Sequence, residues 1–162
     1  MKQIQTILIL ILGLTISLNS FGQAEAPIKL DNNVAIIDAV YKAFGNGDMP
    51  SVLAAMHPKI KWNEAEGNSL AAGNPYIGPD AVLNGVFVPL GETYETFALK
   101  DIELHNMDNN KVLATLRYHG KVKATGKEID AQVAHLWELN DGKIVSFQQY
   151  VDTKQLAEAE KE

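Results

Sequence analysis

Glu64 and His135 occupy positions where a carboxylate and an imidazole are unusual. Glu64 follows Ile60 and Trp62 on one parity of a segment whose other parity holds Lys61 and Asn63. The apolar parity faces inward, and a carboxylate there costs free energy unless it is paired or sits in a wet cavity. His135 lies between Val133 and Trp137 in a second alternating segment. In a mostly apolar cavity a carboxylate pKa moves up, which makes it a better base near neutral pH. An imidazole, with an ordinary pKa of ~6.5, can donate a hydrogen bond or shuttle a proton. Both residues also admit a plain explanation. A core histidine is commonly just bonded to a neighbour, and Glu64 could end its strand at an exposed rim.

The elements that must position them follow from periodicity. Val34, Ile37, Tyr41 and Phe44 recur at helical spacing until Gly45-Asn46-Gly47 stops the run. Asp48 then caps a second short helix with Pro50 in its first turn, Val52, Leu53 and Met56 facing inward, and His57-Pro58 at its end. Ile60 to Glu64 has strand spacing. From Glu66 to Gly78 the chain is rich in Gly, Asn and Pro, and reads as a loop across a pocket mouth. Pro79 opens a third helix carrying Val82, Val86 and Leu90. Period-two strands are predicted at about 95–106, 111–123, 128–139 and 143–152, with short turns at Asn109-Asn110, Thr125-Gly126 and Asp141-Gly142. Helices followed by an antiparallel meander predict an α+β fold, with the helices on one face of a curved, mainly antiparallel sheet. The charged segment Thr153 to Glu162 reads as a frayed end.

A tight turn at Thr125-Gly126 pairs Leu116 with His135 and Tyr118 with Val133. Val112, Ala114, Leu116 and Tyr118 then share an apolar face with Ile129, Ala131, Val133, His135 and Trp137, while Arg117, His119, Lys121, Glu128, Asp130 and Gln132 take the other. The last hairpin has two possible registers. A two-residue loop at Asp141-Gly142 puts Gln148, Tyr150 and Asp152 beside His135. A three-residue loop with Gly142 as a bulge puts Phe147 and Gln149 there.

Composition removes several function classes. Lys2, the apolar run Ile7–Leu18, and Ser20 and Gly22 before Gln23 have the layout of a secretory signal peptide, so residues 1–22 are expected to be removed and the product to be periplasmic or secreted. The rival, a membrane anchor, needs an apolar core of ~20 residues. Cleavage takes 22 residues from 162, leaving 140 (residues 23–162), one ordinary domain with no cysteine to staple it. Losing Lys2 takes the formal charge from −6 to −7. Such a chain is poorly suited to nucleic acid, and no second segment suits a membrane. The histidines His57, His105, His119 and His135 are too scattered to predict a metal site. Phosphate-loop and nucleophile-elbow contexts are lacking, so no cofactor is expected.

The segments "YKAFGNGDMPSVLAAMHPKIKWNEAEG", "YIGPDAV" and "HLWELNDGKIVSFQQYVDT" resemble the SnoaL-like and ketosteroid-isomerase-like branch of the nuclear transport factor 2 superfamily. The resemblance runs from about Asn33 to Thr153. It implies a cone-shaped roll enclosing a pocket, and a homodimer formed through the outer sheet face. In ketosteroid isomerases the general-base Asp falls where Glu64 stands, and a protonated Asp that donates to the oxyanion falls at His135, also the acid/base Asp position of the cyclases. Their oxyanion-donating tyrosine falls on Val40, with Tyr41 one residue and ~100° of helix away. The resemblance therefore implies Glu64 as base and His135 as acid or oxyanion donor, for proton transfer next to a carbonyl. Trp62, Tyr76, Tyr118 and Trp137, with Gln149 or Tyr150 according to register, would shape the pocket. A non-catalytic binder of a small apolar ligand fits the same residues.

Overall fold

The structure is a computed structural model that describes residues 30–162. The signal peptide expected over residues 1–22 lies outside the described residues.

Helix α1 (Leu30–Gly45) buries Ile37, Val40 and Tyr41. It stops where Gly47 adopts φ 73°, a left-handed conformation that side chains disfavour. The Asp48 N–H then reaches back to the Ala43 carbonyl at 2.9 Å. The Asp48 carboxylate accepts from the Ser51 N–H at 3.1 Å and caps α2 (Met49–Ala54). Met56, expected on that helix, instead opens strand β1 (Met56–Asn63) and remains buried there. The Glu66–Gly78 loop carries a 3₁₀ turn at Ser69–Gly73 and a short strand, β2 (Tyr76–Ile77), paired with β1.

The third helix begins at Pro79 as predicted, but it is not continuous. A π-helical turn, Leu83–Phe87, separates α3 (Pro79–Val82) from α4 (Val88–Thr93). Pro89 lacks the N–H that would bond the carbonyl four residues back. Just before it, the Val88 N–H bonds the Leu83 carbonyl five residues back, which widens the turn.

Strands β3 (Tyr94–Met107), β4 (Lys111–Val122), β5 (Glu128–Asn140) and β6 (Lys143–Val151) follow the predicted meander. The sheet order is β2-β1-β6-β5-β4-β3, and it does not close on itself. Only β1 and β6 run parallel. The expected inner face of β4 and β5 is the buried one. The β4–β5 register differs from expectation by two residues. Ala114 pairs with His135, Leu116 with Val133 and Tyr118 with Ala131. The connection is longer than a tight turn: Val122 N–H bonds Lys127 O at 2.9 Å, and Gly126 N–H bonds Val122 O at 2.9 Å. A slip of two preserves which residues face inward.

Thr125 and Lys127 explain the longer loop, because they hold the chain's end. The Thr125 hydroxyl donates to the Ala159 carbonyl at 2.7 Å, and the Lys127 ammonium donates to the Glu158 and Lys161 carbonyls at 3.1 and 2.5 Å. The segment expected to fray is helix α5 (Thr153–Glu160), started by the Asp152 carboxylate at 3.2 Å from the Gln155 N–H. Leu156 and Ala159, one helical turn apart among charged neighbours, are buried.

At the β5–β6 hairpin, Asn140 pairs with Lys143 across a two-residue turn, with Asp141 at φ 48° and Gly142 at φ 76°. The register then shifts, since Leu139 pairs with Ile144 but Glu138 with Ser146, leaving Val145 as a bulge. The short loop thus occurs, yet the bulge beyond it turns Phe147 and Gln149 inward, opposite Trp137 and His135. No described helix is long and apolar enough to cross a membrane.

Candidate functional site

One buried cavity of about 60 Å³ lies between the helices and the inner sheet face. Glu64, His135, Trp62, Tyr118, Trp137 and Gln149, six of the residues singled out from sequence, all line it. Tyr76 and Tyr150 do not. Tyr150 is 55 % exposed on the opposite side of β6. Tyr76 instead fills the niche left by two glycines. A Cβ on Gly73 or Gly85 would fall 2.4 or 2.1 Å from its ring, and its hydroxyl donates to the Leu70 carbonyl at 2.6 Å.

Glu64 sits just past the end of β1 and is 2 % exposed, so it does not end at an exposed rim. Its carboxylate accepts from the Trp62 indole N–H at 2.7 Å and from the Asn68 amide at 3.0 Å. Burial pushes its pKa up to about 7, while the hydrogen bond from Trp62 pulls the other way. Asn68 gives its amide hydrogens to both Glu64 and Gln149 Oε1, the latter at 3.0 Å. Gln149 Oε1 also accepts from the Ala65 N–H at 3.2 Å, and a backbone N–H can only donate. The orientation of the Gln149 amide is thereby fixed, with its N–H groups directed at the Tyr118 oxygen, 3.1 Å away.

His135 is held between two phenols. Its Nδ1 lies 2.7 Å from the Tyr41 oxygen and its Nε2 lies 2.6 Å from the Tyr118 oxygen. Burial lowers its pKa to about 3, so the ring is neutral at ordinary pH. Burial raises both phenol pKa values, and for Tyr118 the nearby Glu64 charge adds to the effect. Both phenols therefore stay protonated.

A neutral imidazole has one N–H and one lone-pair nitrogen. Only one of the two phenols can donate to it, and the other must accept from it. The Tyr41 oxygen already accepts from the Trp137 indole at 3.0 Å, and the Tyr118 oxygen from Gln149. Whichever tautomer is present, one phenolic O–H is left without an acceptor in this network. Both phenols line the cavity.

Tyr41 and Asn68 are thus part of the site and were not selected from sequence. Tyr41 stands one residue from the family's tyrosine position, which falls on Val40, yet Val40 and Tyr41 both line the cavity. The buried stripe of a packed helix is ≳100° wide, enough for neighbours in sequence. Asn68 gives no signal within a Gly- and Asn-rich loop. The remaining lining is hydrocarbon and aromatic, including Phe147 stacked on Trp62 with ring centres 3.7 Å apart. Among the described residues, no three His, Asp or Glu side chains converge as a metal site requires.

Helices laid over a mixed sheet, around a mostly apolar cavity with a few polar groups, define a nuclear transport factor 2-like pocket protein. The chain belongs to the SnoaL-like domain family, whose sequence profile matches residues 37–147. It is similar to a nuclear transport factor 2-like protein of Burkholderia thailandensis, with 32% identity, a TM-score of 0.75, and coverage of 80% of this chain and 98% of the other. TerC, co-crystallised with polyporic acid, matches at 20% identity and TM-score 0.70, over 80% of this chain and 98% of its own. A candidate polyketide cyclase of Xanthomonas campestris pv. campestris matches at 20% identity and TM-score 0.70, over 82% and 98%. No curated protein sequence matches.

Proposed function

We propose that this SnoaL-like protein binds a small carbonyl compound and moves a proton next to its carbonyl group. The observation that carries the reading is that a buried carboxylate and a phenol–imidazole–phenol array line one apolar cavity. Glu64 acts as base and takes the proton from the carbon beside the carbonyl. The C–H electron pair becomes the C=C bond of the enolate, and the carbonyl π pair moves onto oxygen. The free phenolic O–H holds that oxygen. His135, read from sequence as acid or oxyanion donor, acts through the phenols, because both its nitrogens are occupied and its pKa of about 3 leaves it uncharged. Returning the proton to the same carbon gives exchange, and returning it to a conjugated carbon gives isomerisation. TerC, with polyporic acid, supports the small-molecule half of this reading by fold alone.

The test is hydrogen–deuterium exchange of acetone in D₂O, followed by NMR, with tryptophan fluorescence reporting occupancy. Exchange should accelerate with added protein, and its rate should rise with pH through about 7 as Glu64 ionises. Glu64→Gln should slow it by ~10²–10⁴-fold, the range for a lost general base. Occupancy without exchange would leave a binding protein, the alternative open from the sequence.

We further propose that residues 1–22 direct export and are then removed, on the support of the Lys2, Ile7–Leu18 and Ser20/Gly22 layout. The intact mass of protein from its native host should begin at Gln23. A mass that includes the leader would refute this.

A further inference from the structure

We infer that the ligand is elongated, with its carbonyl head in the buried cavity and an uncharged hydrocarbon tail in the groove beyond Phe44, Phe87, Leu90 and Phe97. The inference rests on the carbonyl-binding reading and extends it from head to tail.

The buried cavity is too small to hold a whole substrate of ordinary size. About 60 Å³ compares with ~150 Å³ for a cavity that takes up benzene. A second concavity, of about 430 Å³, lies between α1, α4 and β3. Phe44, Phe87, Leu90 and Phe97 line both. These four side chains are the wall between cavity and groove, and all are only half-buried. They carry no polar group, so turning them aside breaks packing but no hydrogen bond. Cavity and groove joined fall within the ~300–1,000 Å³ usual for small-molecule sites.

The wall also stands on the least regular part of the helical layer. Phe87 closes the π turn and Leu90 follows Pro89, where the helix lacks one of its regular backbone bonds. The groove's chemistry selects the tail. Met49, Leu83 and Val88 are apolar, and Val88 is 45 % exposed with nothing over it. Its one charged lining residue, Glu95, is engaged by Lys121 at 2.8 Å, so the groove offers a tail no cation to pair with. An anionic tail would meet only that carboxylate.

Titration of the purified protein with acetone, 2-hexanone, 2-octanone and 2-decanone tests this. Trp62 and Trp137, the two tryptophans of the chain, line the cavity and report binding by fluorescence. Each added pair of methylenes should tighten binding by about 15-fold if the tail is buried. Gly91 lines the groove and not the cavity, and a Cβ there meets nothing within 4 Å. Gly91→Phe should therefore level the series, so that 2-decanone binds no tighter than 2-hexanone. If acetone binds but the wild-type series is flat, the tail site is wrong and the head site stands. If no ketone binds, the carbonyl reading itself fails and this one falls with it. A length dependence that Gly91→Phe leaves intact would put the tail elsewhere. Affinity that falls as protein concentration rises would mean that a second copy fills the groove. Either result overturns the inference.

Discussion

Taking the protein from pH 6.5 to pH 3 is expected to remove about 4 kcal/mol of stability through His135 alone. Burial lowers its pKa from the ordinary 6.5 to about 3 in the folded state. Between those two values the unfolded chain binds a proton that the native chain does not. Stability then falls as pH falls, by ~1.36 kcal/mol for each pH unit across the gap. Charging the ring would also demand a second N–H donor pointing at a phenol oxygen that already accepts another. His135→Gln keeps one acceptor and one donor for Tyr41 and Tyr118 but does not titrate. Urea denaturation from pH 3 to pH 7 should show a loss in the wild type that steepens below about pH 4.5, where Glu64 no longer offsets it, and that is absent in this variant. If both lose stability in parallel, the acid sensitivity lies elsewhere.

Much of the fold was legible because the sheet's two faces are chemically unlike. The alternation in β4 and β5 is unbroken, and any register that kept it would place His135 among Val133, Trp137 and Tyr118. What the pattern could not give was pairing, since a slip of two residues leaves every side chain on its face. The β6 parity failed to emerge for the opposite reason. The Val145 bulge shifts parity by one, and nothing in Lys143–Phe147 marks it. Helix α5 was hidden because its buried face is only Leu156 and Ala159, and its anchors, Thr125 and Lys127, are far away in sequence.

The site was legible where an inward polar residue contradicted its surroundings, as at Glu64 and His135. It was illegible where the signal was a contact. Tyr41 enters through the docking angle of α1, Asn68 through the path of a loop, and Tyr76 leaves because Gly73 and Gly85 make room for its ring. The neutral state of His135 was likewise unreadable, since it follows from burial without any carboxylate bonded to the ring.

Glu64 should give a pH dependence of the opposite sign. Burial raises its pKa from the ordinary 4.5 to about 7, so between these values the native chain binds more protons than the unfolded one. Its contribution is fully present below pH 4.5 and is lost as pH rises through about 7, a change of about 3 kcal/mol. Relative to Glu64→Gln, the wild type should therefore be more stable by about 3 kcal/mol at pH 4 than at pH 8. Whatever constant cost the amide incurs against the Asn68 donor cancels from that comparison. Between pH 4.5 and 6.5 the Glu64 and His135 slopes oppose each other, and the wild type should look nearly flat. His135→Gln should leave only the falling limb, Glu64→Gln only the rising one, and the double variant neither. A flat profile in both single variants would mean that neither group titrates inside the fold as its burial demands. The base assigned to the cavity would then lose the raised pKa on which its chemistry near neutral pH depends.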